Sequence, residues 1–118
     1  MGSVNKKMRG NGTVTIQRLA DILKDQIDAE LISENWRGLD GFHVVLLSFE
    51  RLFFRNGSYA SLVIMLTEYG DMQTADIVAS GGGEGLFNIS WGANSDFADM
   101  ASAILEENGF EEEMDEDE

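Results

Sequence analysis

The pair Asn56-Gly57 constrains this chain more than any other two residues. It stands between two apolar runs, Phe42 to Arg55 and Ser58 to Tyr69. Both residues tolerate the positive φ of a type I′ turn, whose twist matches that of a β-hairpin. Similar breaks lie on either side, Gly38-Leu39-Asp40-Gly41 before it and Gly70-Asp71 after it. Strands joined by turns this tight cannot run parallel, because a parallel pair needs a long crossover. An antiparallel meander is therefore expected in the middle of the chain.

Helical periodicity brackets the meander. Ile16, Leu19, Ala20, Leu23 and Ile27 repeat as one apolar face, with Gln17, Arg18, Asp21, Lys24, Asp25 and Asp28 on the polar side. With Thr13 or Thr15 as N-cap, the spacing predicts a helix over 13–29. After Gly92 the period is helical again. Asn94, Ser95 and Asp96 suit an N-cap, and Phe97, Met100, Ala101, Ile104 and Leu105 share a face. Gly109 stands where a helix end takes positive φ. Met72–Ser80 and Leu86–Trp91 read as strands, with weaker candidates at Lys6–Arg9 and Leu31–Arg37.

The expected fold class is α+β: an antiparallel meander of four to five strands with two helices packed on one face, in the order (β)-α-β-β-β-β-α. In element order alone this resembles the β-α-β4-α folds of the TATA-binding-protein and helix-grip type, and no function follows from that. Residues 1–12 are expected to be flexible or a short strand, 13–110 a single α+β domain, and 111–118 a disordered acidic tail.

Charge is unevenly distributed. The net value is −14; residues 1–55 hold all eight bases against seven acids, and residues 56–118 hold fifteen acids and no base. Binding to nucleic-acid phosphates or to an anionic membrane needs clustered cations, so neither is expected. A basic protein partner is electrostatically permitted. There is no cysteine, which excludes disulfides, thiolate metal sites and a Cys nucleophile. No apolar run approaches the ~18 residues that span a bilayer, and Met1 to Gly12 lacks the apolar core of a signal peptide. The expected location is the cytoplasm.

Several segments resemble a family of small Gram-positive bacterial proteins, a domain of unknown function. The resemblance rests on Phe49-Glu50-Arg51, Ser61-Leu62, Ser80-Gly81-Gly82-Gly83 and Leu86-Phe87, and covers about residues 13–108. It implies a shared fold and brings no activity or site residues; the acidic tail lies outside its pattern.

Constellations with catalytic meaning are sparse. His43 is the only histidine, which excludes a histidine metal cluster and a Ser-His-Asp triad by any other histidine; a structural strand histidine is the expectation. The run Gly81-Gly82-Gly83-Glu84-Gly85 carries no following Lys, holds an anion-repelling Glu84 and is expected to join two strands, so it reads as a turn or bulge, not a phosphate loop. The tail lacks the ligand spacing of an EF-hand. Asp76, inside Ala75-Asp76-Ile77-Val78, is expected to face solvent by strand alternation. Glu50 and Arg51 point to opposite faces, so one of them meets the helix-covered side or its rim. No catalytic, cofactor-binding or metal-binding set is expected.

The strongest hint is apolar doubling. Val44, Leu46, Leu52 and Phe54 occupy one parity of the first long strand; Val45, Leu47, Phe49 and Phe53 occupy the other. A strand with one wet face would alternate. Either both sheet faces are covered, or one exposes an apolar patch that dimerises or captures a ligand. The expected function is a non-enzymatic protein-interaction domain, forming a homodimer or binding a basic partner through its acidic C-terminal half, in the sharpest form as a nucleic-acid mimic. Phe49, Arg51, Asp76, Gly81, Gly82, Gly83, Glu84 and Trp91 are the candidate interaction or ligand surface. The alternative is a small-molecule or lipid-binding module with a cavity between sheet and helices lined by Leu46, Leu62, Ile64, Ile77 and Phe87.

Overall fold

The structure, a computed structural model, describes residues 3–53, 58–81 and 87–113, the side chains of Phe53, Ser58 and residues 87–94 excepted. The chain runs β1 (Ser3–Gly10), α1 (Ile16–Gln26), β2 (Glu30–Leu39), β3 (Phe42–Phe53), β4 (Ser58–Tyr69), β5 (Met72–Gly81), α2 (Phe87–Glu106) and β6 (Phe110–Glu112). Six strands form one antiparallel sheet in the order β2-β3-β4-β5-β1-β6.

Turn chemistry fixes the meander. Asp40 and Gly41 both have positive φ, 49° and 84°, between the paired residues Leu39 and Phe42, as a type I′ turn requires. Between Tyr69 and Met72 only Gly70 is positive, at 60°, the type II′ pattern. At the β3–β4 connection Ser58 pairs with Phe53. An Asn56-Gly57 two-residue turn would pair it with Arg55 instead, and residues 54–57 lie outside the described set.

Helix α1 begins at Thr15, whose hydroxyl oxygen accepts the Arg18 backbone N–H at 3.2 Å. The apolar stripe Ile16, Leu19, Ala20, Leu23 and Ile27 is buried throughout. Three strands separate β1 from β2 in the sheet, so α1 carries the chain across one face, against β3 and β4, while α2 covers β1, β5 and β4. Both helices meet the same side. Val45, Leu47 and Phe49 pair with Leu66, Ile64 and Leu62, and these in turn with Ala75, Ile77 and Ala79, all buried. Burying a Leu, Ile or Phe side chain is worth about 1.5–3 kcal/mol, so this layer is the core.

Three expectations need correction. The strand expected at 86–91 is not found: residue 86 lies outside the described set, and α2 begins at Phe87 and runs through Gly92. Phe87, Ile89 and Trp91 mimic a period of two, but six residues do not separate strand from helix, and a helical glycine costs only about 1 kcal/mol. The fourth strand of the expected meander is instead β2, the weaker candidate at 31–37. Of the two alternatives expected for residues 1–12, Ser3–Gly10 takes the strand, and β1 lies between β5 and β6.

The third correction concerns the tail. Glu111 and Glu112 belong to β6, and the Glu113 N–H donates to the Lys7 carbonyl at 2.9 Å. Composition alone sees only repelling carboxylates there, but the register brings them to the bases of β1. Lys6 Nζ lies 3.1 Å from Asp99 and 3.4 Å from Glu112. The Asp99 hydrogen bond, with Glu112 adding to it against the opposing effect of burial, raises the Lys6 pKa. Arg9 donates twice to Glu113, at 2.7 and 2.9 Å. Residues 114–118 lie outside the described set.

Where β1, β5 and β6 meet, Gln73 is buried and fully engaged. Its Nε2 donates to the Val14 carbonyl at 2.7 Å and to Glu68 at 3.0 Å, and its Oε1 accepts the Gly12 N–H at 3.0 Å. Gly10 stands directly above it. A Cβ at Gly10 would lie 2.5 Å from both Gln73 Oε1 and the Phe110 ring. Gly10→Ala is therefore expected to cost about 1–3 kcal/mol by overpacking, a fall of roughly 5–15 °C in melting temperature by circular dichroism. An unchanged melt would mean the junction yields freely. A chain ending at Phe110 should also melt several degrees lower, measured in high salt so that losing seven negative charges does not mask the lost pairing. Equal melting temperatures would show that β6 adds no stability.

Candidate functional site

Strand alternation sends Val45, Leu47 and Phe49 toward the helices, so the other parity emerges on a face that no helix covers. Register assembles this open face row by row. At the end with the two tight turns, Leu39, Phe42, Tyr69 and Met72 stand side by side across four strands. All four are exposed, Leu39 to 73% and Tyr69 to 58%, and the Phe42 and Tyr69 rings tilt together at 6.1 Å between centroids. A shallow depression there is lined by Phe42, Thr67, Tyr69, Met72 and Thr74. The middle row reads Asn35, Leu46, Met65, Asp76, Lys7, and the far row Glu30, Glu50, Ser61, Ser80, Ser3. The face is thus large and apolar at the turn end and smaller and more polar through the far row, beyond which Leu52 pairs with exposed Tyr59.

Aromatic rings and methionines bury large area at low ordering cost and adapt to a facing surface. Among the described residues, no group of three or more His, Asp or Glu side chains is placed to hold a metal ion, and no helix is long and apolar enough to cross a membrane.

The structure scatters the residues singled out from sequence. Asp76 lies on the open face, beside Met65 and Lys7. Phe49 does not: at 1% exposure it belongs to the core under the helices, because its parity is that of Val45 and Leu47. Arg51 is on the helix side at the rim, 3.7 Å from Asp28, while its neighbour Glu50 faces the open side. Gly81 ends β5 opposite Ala60. Gly82, Gly83 and Glu84 lie outside the described residues, and the run leads from β5 to α2, not from strand to strand. Trp91 stands in α2, its side chain outside the described set. His43 is half-buried on the helix side of β3, opposite Gly38 and Glu68.

The five residues expected to line one cavity do not share one. Leu62, Ile64 and Ile77 are fully buried beneath the helices, whereas Leu46 points to the open face; the Phe87 side chain is outside the described set.

Sequence reasoning missed the device that holds edge strand β2. Lys24 of α1 donates to both Glu34 carboxylate oxygens, at 3.0 and 3.1 Å, and the Trp36 indole N–H donates to the same carboxylate at 2.7 Å. The Trp36 bond and then Lys24 lower the Glu34 pKa. Because the folded pKa is lowered, the stabilisation is present above the ordinary glutamate value and is lost as pH falls through the folded value. Glu34→Gln should therefore be less stable than the parent at pH 7, with a gap that narrows as pH falls below the ordinary glutamate value, read by denaturant melts at each pH. A gap that persists in acid would assign the effect to packing instead.

A family model described as a family of unknown function (DUF6054) matches residues 1–109. The match takes in β1, which a resemblance over 13–108 left out, and stops just before β6. No curated protein and no solved structure matches the chain.

Proposed function

The chain belongs to the DUF6054 family of unknown function, and we propose that it is a non-enzymatic protein-interaction domain whose docking surface is the open face of its sheet. The observation that carries this reading is the apolar end of that face. Leu39, Phe42, Leu46, Met65, Tyr69 and Met72 are all exposed there, contiguous across β2 to β5. Contiguous apolar surface of this kind marks interaction sites on soluble domains, and aromatic anchors are the residues that dominate interface energies.

The acidic surface is a separate matter. Asp21, Asp25, Asp96, Glu106 and Glu107 are exposed on or beside the two helices, on the opposite side of the sheet. A basic partner would meet them there, leaving the sheet face free. A cytoplasmic, bacterial setting belongs to the same proposal, resting on the cysteine-free composition and the family resemblance.

The test is site-specific photo-crosslinking in living cells, with the full chain carrying the photoreactive residue at Met65 on the open face or at Asp25 on the helical face. Protein adducts from position 65 and few from position 25 are expected. Equal yields from both positions, or none from position 65, would sink the reading.

A further inference from the structure

Resting on the reading of the open face as a docking surface, we infer that its occupant is a second copy of this chain: two molecules set their sheets face to face with their helices outward. Charge is the first reason. The chain carries −14, so most of its surface repels another copy. The open face of the five long strands is the exception. Register places three acids on it, Glu30, Glu50 and Asp76, and three bases, Lys7, Arg9 and Arg37, while at its β6 rim Glu111 stands opposite Arg9 and Glu113 pairs with it. Two such faces meet with little net charge compared with the helical sides, and their mixed signs allow acid-to-base contacts across the contact. A strongly basic partner would find little to favour it on this face.

Distance completes the electrostatic case. Facing sheets pack about 10 Å apart, with each helical layer a further step outward. The acidic helical surfaces then stand on opposite outsides, well beyond the ~8 Å over which exposed charges interact at physiological salt.

Size is the second reason. Five strands about 4.8 Å apart and about ten residues long offer a face on the order of 800 Å². Each partner of a standard protein interface buries roughly that area. The layers also fit: a sheet face of this apolarity is buried against a second layer, and this chain places both its helices on the other side. Self-pairing supplies the missing layer as a sheet, giving the aligned two-sheet sandwich known within single domains. A two-fold contact needs a surface complementary to itself, and neutral charge with adaptable Met65 and Met72 meets that need.

The test is the solution mass of the full chain by light scattering and sedimentation, from low to hundreds of micromolar protein and from low to high salt. The expected species is twice the 13.0 kDa of one chain. Its dissociation should weaken as salt rises, because salt screens the residual repulsion between two acidic bodies; a complex held by opposite charges would do the reverse. Met65→Lys should raise the dissociation constant by about tenfold or more, because it removes an apolar anchor and sets a hydrated ammonium in the middle of the contact, even with Asp76 opposite it. Gln17→Lys, the same charge change on the exposed side of α1, should leave the mass at that of two copies. Far-UV circular dichroism checks that both variants fold; should Met65→Lys not fold, Tyr69→Lys at the exposed row takes its place. A monomer at every concentration, or a dimer unmoved by Met65→Lys, overturns the inference. Crosslinking from position 65 then separates the two levels. Adducts with a different protein from a monomeric chain remove the second copy and leave the docking face; no adduct removes both.

Discussion

One-sided cover is the constraint on which the rest of the structure depends. Two helices cannot shield both faces of a six-stranded sheet, and here both lie on the same side. The chain reaches that arrangement because β1 and β2 are not neighbours. Three strands separate them, and α1 makes the passage across the face. Its stripe from Ile16 to Ile27 meets Val45, Leu47 and their partners on β4, while α2 closes over β1 and β5. Neither helix covers the opposite parity.

Much of this architecture was legible in the sequence. The α1 stripe, the strand edges at Phe42, Ser58, Tyr69 and Met72, and the glycine turns are local signals, written within a few residues by periodicity and positive-φ preference. What escaped is non-local. Nothing within Ser3–Gly10 announces that it pairs with β5, and nothing in Glu111–Glu113 announces Lys6, Lys7 and Arg9. A run of like charges reads as disordered until its counter-charges are placed beside it. The strand expected at 86–91 failed for a different reason: three apolar residues at alternate positions satisfy a helix and a strand alike.

The site was half legible. Apolar residues on both parities of β3 correctly signalled an uncommon second face, but parity alone does not say which face the helices take, and Phe49 was placed on the wrong one. Asp76 held the missing information. A charge within an otherwise alternating strand marks the open face, and the tight turn at Gly70-Asp71 fixes Met65 as its cross-strand neighbour and Tyr69 opposite Met72. Leu46 and Phe42 join those rows only through the observed β3–β4 register, which an Asn56-Gly57 two-residue turn would have set two residues away, with Ser48 opposite Met65. The Glu34 anchor had no comparable signal, because it joins α1 to β2 through side chains ten residues apart.

Topology also redistributes charge in a way the linear sequence conceals. By halves, the chain looks like a neutral body with a strongly acidic end. In three dimensions β1 carries Lys6, Lys7 and Arg9 into the acidic half, where Lys6 meets Asp99 and Glu112 and Arg9 meets Glu113. Exposed pairs of this kind are individually worth about 1 kcal/mol or less, yet together they let an acidic strand add to the sheet edge. They also draw part of the acidic charge away from the surface a basic partner would meet. What remains concentrated is the acidity of the helical layer, whereas the open face of the five long strands holds acids and bases in equal number.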